Sequence, residues 1–314
     1  MGSSRFIFNR FGQSLILVLV VTVITFFLIK VAPGGPASIM RMDATAQQRA
    51  ALTERLGLDQ PVPVRYARWL RDALHGDLGR SLGTGQPVLQ RVGERIPYTL
   101  RLAALTLLVS VGVGIVLGIA SAIRRGTWID HVVNVLTVLG LSTPVFWLGI
   151  MLILLFSVNL GWLPSSGTGV GRPPWDSIRY LIMPVFVLST TTLPTIVRFT
   201  RSSMLEVLSQ NFIRTARAGG LKESTVVYRY ALRNALIPVV SVIGVLIPRM
   251  LSGAVITEAV FGWPGMGRLI LEAAQGRDYP VVMGVTVVTT LVVVVSNFVV
   301  DIAYSWIDPR IHNR

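Results

Sequence analysis

The chain has 314 residues, 52% of them hydrophobic and only 14% charged, with a formal charge of +14 and no cysteine. A mean hydropathy of +0.63 is too high for a soluble fold, so the composition predicts an integral membrane protein. It excludes disulfides and thiolate metal sites. It also argues against a nucleic-acid binder, because the basic residues are spread through loops beside apolar runs and do not gather on one soluble face among stacking aromatics.

The first element is the uncharged run Phe11 to Ile29, preceded by Arg5 and Arg10 and long enough to cross a hydrocarbon core of roughly 30 Å. A cleaved signal peptide has a shorter apolar region and a small-residue cleavage site. This run leads into Lys30 and the rigid Ala32-Pro33-Gly34-Gly35-Pro36, which predicts an uncleaved first helix. Position 6 is Phe6, so the Met1-Gly2 start lacks the hydroxyl that myristoylation requires. Residues 33 to 97 are the longest polar region. Within them Ala44 to Leu56 and Val62 to Leu74 have helical apolar spacing, punctuated by glycines at Gly76, Gly79, Gly83 and Gly85. An extracytoplasmic helical cap lying on a helix bundle is expected here.

Five more apolar runs follow: Leu102 to Ile123, Val132 to Val158, Tyr180 to Val197, Ala235 to Thr257 and Pro280 to Val300. Each has about the 20 residues of a spanning helix, so the predicted class is an all-α integral membrane protein with six transmembrane helices. The expected divisions are an N-terminal tail and first helix over 1–32, the cap over 33–97, and a five-helix core over 98–314 with an inner loop at 198–235. Arg5, Arg10, Arg124, Arg125, Arg198, Arg201, Arg214, Arg217, Lys222, Arg229, Arg233, Arg310 and Arg314 all fall on one side if the chain starts inside. By the positive-inside rule both termini and the inner loop are then cytoplasmic.

Prolines are expected to break three helices: Pro144 the third, Pro184 and Pro194 the fourth, Pro238 and Pro248 the fifth. Broken helices are tolerated where a wet cavity or a neighbour satisfies freed carbonyls, which makes these three candidates to line a pathway. Ser189-Thr190-Thr191-Thr192 either face that pathway or bond to their own backbone. Arg249, directly after Pro248, reads as the one charge well inside an apolar run. It either lines the route, attracting a peptide's carboxylate or carbonyls, or pairs with Glu258 or Asp301 or snorkels outward. His75, His131 and His312 share no ligand spacing, so no metal site is expected. There is no phosphate-binding loop and no acid-base constellation, so the chain is not expected to be an enzyme.

The inner segment Asn211 to Pro238, NFIRTARAGGLKESTVVYRYALRNALIP, is the long polar stretch between two spanning runs. Arg214-Thr215-Ala216-Arg217-Ala218-Gly219-Gly220-Leu221-Lys222 reads as a short helix stopped by a glycine pair. Its order resembles the signature loop of binding-protein-dependent ABC importer permeases. Arg214 in place of the family's Glu and the long gap from Gly220 to Pro238 match the dipeptide/oligopeptide/nickel branch, although Gly219 stands where that branch carries Lys. The words Leu56-Gly57-Leu58-Asp59-Gln60-Pro61, Gly76-Asp77-Leu78-Gly79, Glu258 to Arg268, Arg277-Asp278-Tyr279-Pro280 and Asp308-Pro309-Arg310 are similar to the same branch.

The resemblance implies the type I ABC importer (MetI-like) permease fold, in the first of two permease subunits. It implies a heterodimer with a second homologous permease subunit, two ATPase subunits or domains that carry the ATP and Mg, and an extracytoplasmic substrate-binding protein. It places the chain in the bacterial cytoplasmic membrane and gives Arg214 to Lys222 the role of coupling to the ATPase. Glu258, Phe261, Trp263, Pro264 and Gly265 are then candidates for an outer gate or a contact with the binding protein, with Trp263 as an interfacial anchor. Peptides are the expected cargo; the branch also includes carriers of nickel chelates, glutathione and oligosaccharides. The rival class is a self-sufficient secondary carrier or channel, which would show inverted repeats and intramembrane acids.

Overall fold

The computed structural model describes residues 2–31, 60–171 and 173–307, with the side chains of residues 2–9, 11, 30, 174, 175, 249, 251, 252 and 301–307 outside that description. The expected helix Ala44 to Leu56 and the ending Asp308-Pro309-Arg310 therefore lie outside the described residues, as do the side chains of Arg249 and Asp301. Among the described residues the chain is helical, without a strand. Five helices are long and apolar enough to cross a membrane, and a bent pair makes a sixth span if its halves are taken together.

The chain forms two compact units, residues 1–99 with 264–294 and residues 100–263 with 295–314. In the first, α1 (Gly2–Val31) is the first apolar run and α2 (Val62–Leu74) has the bounds its apolar spacing predicts. Tyr66 of α2 stands edge-on to Phe26 of α1 and shares a 2.9 Å hydrogen bond with Thr22. The core is Leu78, Val88, Val92, Met266, Leu269 and Val281. It joins the start of α3 (Val88–Ile123) to α10 (Met266–Gln275) and the first turns of α11 (Tyr279–Ile307). Asp278 fixes the glycine-punctuated loop before α3. Its buried carboxylate accepts from the Ser81 hydroxyl, from Leu82 N at 3.0 Å and from Gly83 N and Arg91 Nη1 at 3.5 Å. Two sequence words that resembled the same family, near Gly79 and near Asp278, thus meet in one hydrogen-bonded turn.

The second unit contains most of α3, α4 (Trp128–Ser142), α5 (Val145–Leu152) with the π-helical continuation Ile153–Asn159, α6 (Pro174–Leu208) and α7 (Asn211–Ala218). It continues through one turn α8 (Glu223–Thr225), a π-helical stretch Val226–Ala231 and α9 (Leu232–Val260). The predicted third helix is in fact two, α4 and α5, bent by 103°. Thr143 adopts the extended conformation that a following proline favours. Its own N–H and hydroxyl both bond to Leu139 O, so the end of α4 is capped and nothing pulls the chain onward.

The other prolines do not act as expected. Pro184 and Pro194 lie inside α6, and Pro238 and Pro248 inside α9, without a break. One missing hydrogen bond does not end a 35- or 29-residue helix whose remaining bonds propagate cooperatively. Nor do Arg198 and Arg201 sit in a loop, because α6 runs on to Leu208.

α3 and α6 touch where α3 carries Gly114 and Gly118. A Cβ at 118 would stand 2.5 Å from Thr200 Cβ and 2.9 Å from Val197 O, and one at 114 would stand 2.8 Å from Ile196 Cγ2. Small residues spaced by four let membrane helices approach this closely. Gly118→Val should therefore destabilise the purified protein in detergent by about 1–3 kcal/mol, read as a lower melting temperature. Gly112→Val, where nothing lies within 4 Å, is the control expected to melt with the parent chain.

Candidate functional site

α7 is a polar helix held by Ile213 and, one turn on, by the half-buried Ala216, which packs against the same cluster. Ile213 is 0% exposed and packs with Ile119, Ala122, Met204, Val207 and Val226. Around it Arg214, Thr215, Arg217, Ala218, Gly219, Gly220, Leu221 and Lys222 are exposed, and Ala216 is half-buried. The helix stops where the glycine pair predicts. Gly219 N bonds to Thr215 O at 2.9 Å and Gly220 N to Arg217 O at 3.0 Å. Gly220 then takes φ +76°, in the left-handed region. Gly219 keeps φ −76°, which suits the lysine found there in the resembling branch. Arg217 Nε and Nη2 reach Glu223 at 3.1 and 2.6 Å, closing the turn into α8. That bond raises the pKa of the guanidinium, but an ion pair this exposed adds little stability.

A second cluster went unseen in the sequence. Asp130, 3% exposed in the first turn of α4, accepts from Arg201 Nε and Nη2 at 2.8 Å each, Gly126 N at 3.0 Å, Asn134 Nδ2 at 2.9 Å and the Ser121 hydroxyl. Arg201 is therefore not simply an inner-loop cation. One signal was present in the sequence: Asp130 is the sole acid between Glu94 and Asp176.

The candidate pathway residues are carried by the bend before α5, by α6 and by α9. Pro144 is exposed at the bend before α5. The hydroxyls of Thr190 and Thr191 bond to the carbonyls three residues back, at 2.7 Å each. Thr192 meets Ser110 of α3 at 2.8 Å. Ser189 is buried with no hydrogen-bond partner for its hydroxyl among the described residues. Of the two alternatives for this run, Thr190 and Thr191 take backbone bonding. Pro248 is half-buried in α9.

The surface reading of the outer residues needs correction. Glu258, Phe261 and Trp263 are 0%, 2% and 0% exposed and Gly265 is buried, with Pro264 half-buried. Trp263 is a core residue and not an interfacial anchor. Phe261 packs with Met183 and Val187. The signal was misread because a Trp-Pro-Gly turn at a helix end has the same sequence whether it faces lipid headgroups or closes a core. Among the described residues no cluster of His, Asp and Glu could hold a metal ion.

Comparison with known proteins gives a consistent picture. Residues 114–313 match the family described as binding-protein-dependent transport system inner membrane component, and residues 3–103 match its N-terminal counterpart. The oligopeptide transport system permease protein AppB of Bacillus subtilis (strain 168) is 40% identical, over 98% of this chain and 99% of its own. The dipeptide transport system permease protein DppB of Alkalihalophilus pseudofirmus is also 40% identical, covering 92% and 94%. The probable D,D-dipeptide transport system permease protein DdpB of Escherichia coli (strain K12) is 42% identical, covering 93% and 92%. In structure, a chain of the inward-facing MetNI methionine ABC transporter superposes with a TM-score of 0.57 at 19% identity, over 70% of this chain and 97% of that one. The shared fold is the expected type I importer permease fold.

The two glycines that end α7 separate local geometry from side-chain identity. Gly220→Val forces a branched side chain into the left-handed region and should loosen the turn by about 1–2 kcal/mol, seen as faster amide exchange over residues 217–222. Gly219→Lys, at an ordinary φ and with only ordinary contacts to Thr215 O and Ala216 O at 3.5 and 3.6 Å, should leave that exchange unchanged.

Proposed function

The chain belongs to the family of binding-protein-dependent transport system inner membrane components, and we propose that it is the permease subunit of an ATP-driven importer of di- and oligopeptides. It forms half of a translocation pathway with a second, homologous permease subunit. Two ATPase subunits, which bind the ATP and Mg, sit on its cytoplasmic side, and an extracytoplasmic binding protein supplies the cargo. The chain itself is the non-catalytic part. Both termini are cytoplasmic, as the distribution of arginines favours.

The observation that carries this reading is α7: a helix whose polar surface is open while only Ile213, with Ala216 beside it, roots it in the apolar body. A helix built that way gains little from its own fold and is suited to a partner that grips its outside. The peptide cargo is supported by the names of the relatives, which match this chain over more than nine-tenths of its length. When the ATPase subunits close on nucleotide, α7 moves with them. Ile213 passes the motion to Met204 and Val207 of α6 and to Val226 of the π-helical stretch. Alternating access then follows as two packings of one helix bundle, with ATP and peptide each favouring a different one.

The test is made on the open face of α7, away from Ile213. In membranes carrying all the subunits, Arg214→Glu with Ala218→Asp should cut both ATPase co-purification and labelled-peptide uptake at least tenfold without changing the amount of folded permease. Uptake that persists in that variant, driven by an ion gradient, would overturn the reading in favour of a self-sufficient carrier.

A further inference from the structure

We propose that Asp130 and Arg201 are positioning residues whose ion pair enlists α4 into the body that α7 moves. The proposal rests on the coupling role given to α7 above.

α3 and α6 already hold each other through the contacts of Gly114 and Gly118 with Ile196 and Thr200. α4 is different. It buries only Asp130, Val133 and Thr137, while Trp128, Val132, Val135, Leu136, Val138 and Leu139 are exposed. Its far end rests on α6 through Gly140, beside Thr190 O and Pro194. Its near end is tied by the Asp130 carboxylate, which gathers Ser121 of α3, Gly126 of the connecting turn, Asn134 of α4 itself and Arg201 of α6.

Two buried opposite charges are a poor way to gain stability, since an apolar pair of similar volume often does as well or better. They do fix one geometry, because both carboxylate oxygens and two guanidinium nitrogens are used. The placement gives that geometry its use. Met204, one turn along α6 from Arg201, and Ala122, next to Ser121, both lie in the cluster that roots Ile213. A displacement of α7 thus arrives at residues flanking the pair on two helices. The pair then carries it into α4, whose other end leads to the 103° bend before α5.

The experiment measures peptides imported per ATP hydrolysed in vesicles holding the complete transporter and its binding protein. The double variant D130N/R201Q removes both charges together, so no unpaired buried charge remains to unfold the protein. It should bind the ATPase subunits and hydrolyse ATP, yet import at least tenfold fewer peptides per ATP. R201K, which keeps the charge but not the two-pronged contact, should fall between, and it decides the question on the same readout if the double variant fails to assemble. A ratio within twofold of the parent in the assembled variant means the pair is only structural and overturns the proposal. The α7 variant R214E/A218D is run alongside. If it keeps the ATPase subunits, the coupling reading has failed; if it loses them while D130N/R201Q keeps the parent ratio, only the positioning role has failed.

Discussion

The attachment of a polar helix to an apolar body through one buried side chain, Ile213, backed by the half-buried Ala216, is the constraint on which the functional reading depends. Ile213 is buried completely while its neighbours on α7 stay open. Burying one isoleucine is worth about 1.5–3 kcal/mol, enough to hold α7 in place and too little to make it rigid by itself. The cluster that receives it draws on α3, α6, the π-helical stretch and α9, so the helix touches several parts of its unit through one small apolar patch. Long π-helical runs are rare and favour functional positions. The run Val226–Ala231 begins four residues after Lys222, and its buried Val226 and Val227 face the same cluster.

Two of the buried acids are held in the same way. Asp130 and Asp278 are both near-fully buried, and each spends its carboxylate on at least one backbone N–H, a serine hydroxyl and an arginine. Each also ties a turn to helices distant in sequence. Asp278 pins the loop before α3 to the turn before α11, and Asp130 pins the turn after α3 to α6. In an apolar bundle with few specific contacts, such points set geometry that van der Waals packing leaves loose.

What the sequence made legible was whatever is local. The spans are long uncharged runs, the bounds of α2 follow from its apolar spacing, and the stop of α7 follows from Gly219-Gly220. The proline positions show where locality fails. Five prolines in three predicted helices look alike, yet only Pro144 ends one, because Thr143 caps the preceding carbonyl with both its N–H and its hydroxyl. The Asp130–Arg201 pair spans 71 positions and nothing adjacent to either residue announces the other. Trp263 was misplaced for the same reason, since its burial is decided by residues elsewhere in the fold. The coupling role proposed for α7 came from word order that resembles a family, and the structure adds how the helix is anchored and which of its residues are exposed.

Under the proposed function this chain is a passive half of a gate driven by a nucleotide-hydrolysing partner. The most direct test is solute accumulation in sealed vesicles, with ion gradients collapsed, comparing this chain alone with the full set of permease, ATPase and binding-protein subunits. Peptide should accumulate against a gradient only in the full set and only with ATP in the compartment facing α7. Accumulation by the isolated chain, or by the full set without ATP once an ion gradient is restored, would contradict it.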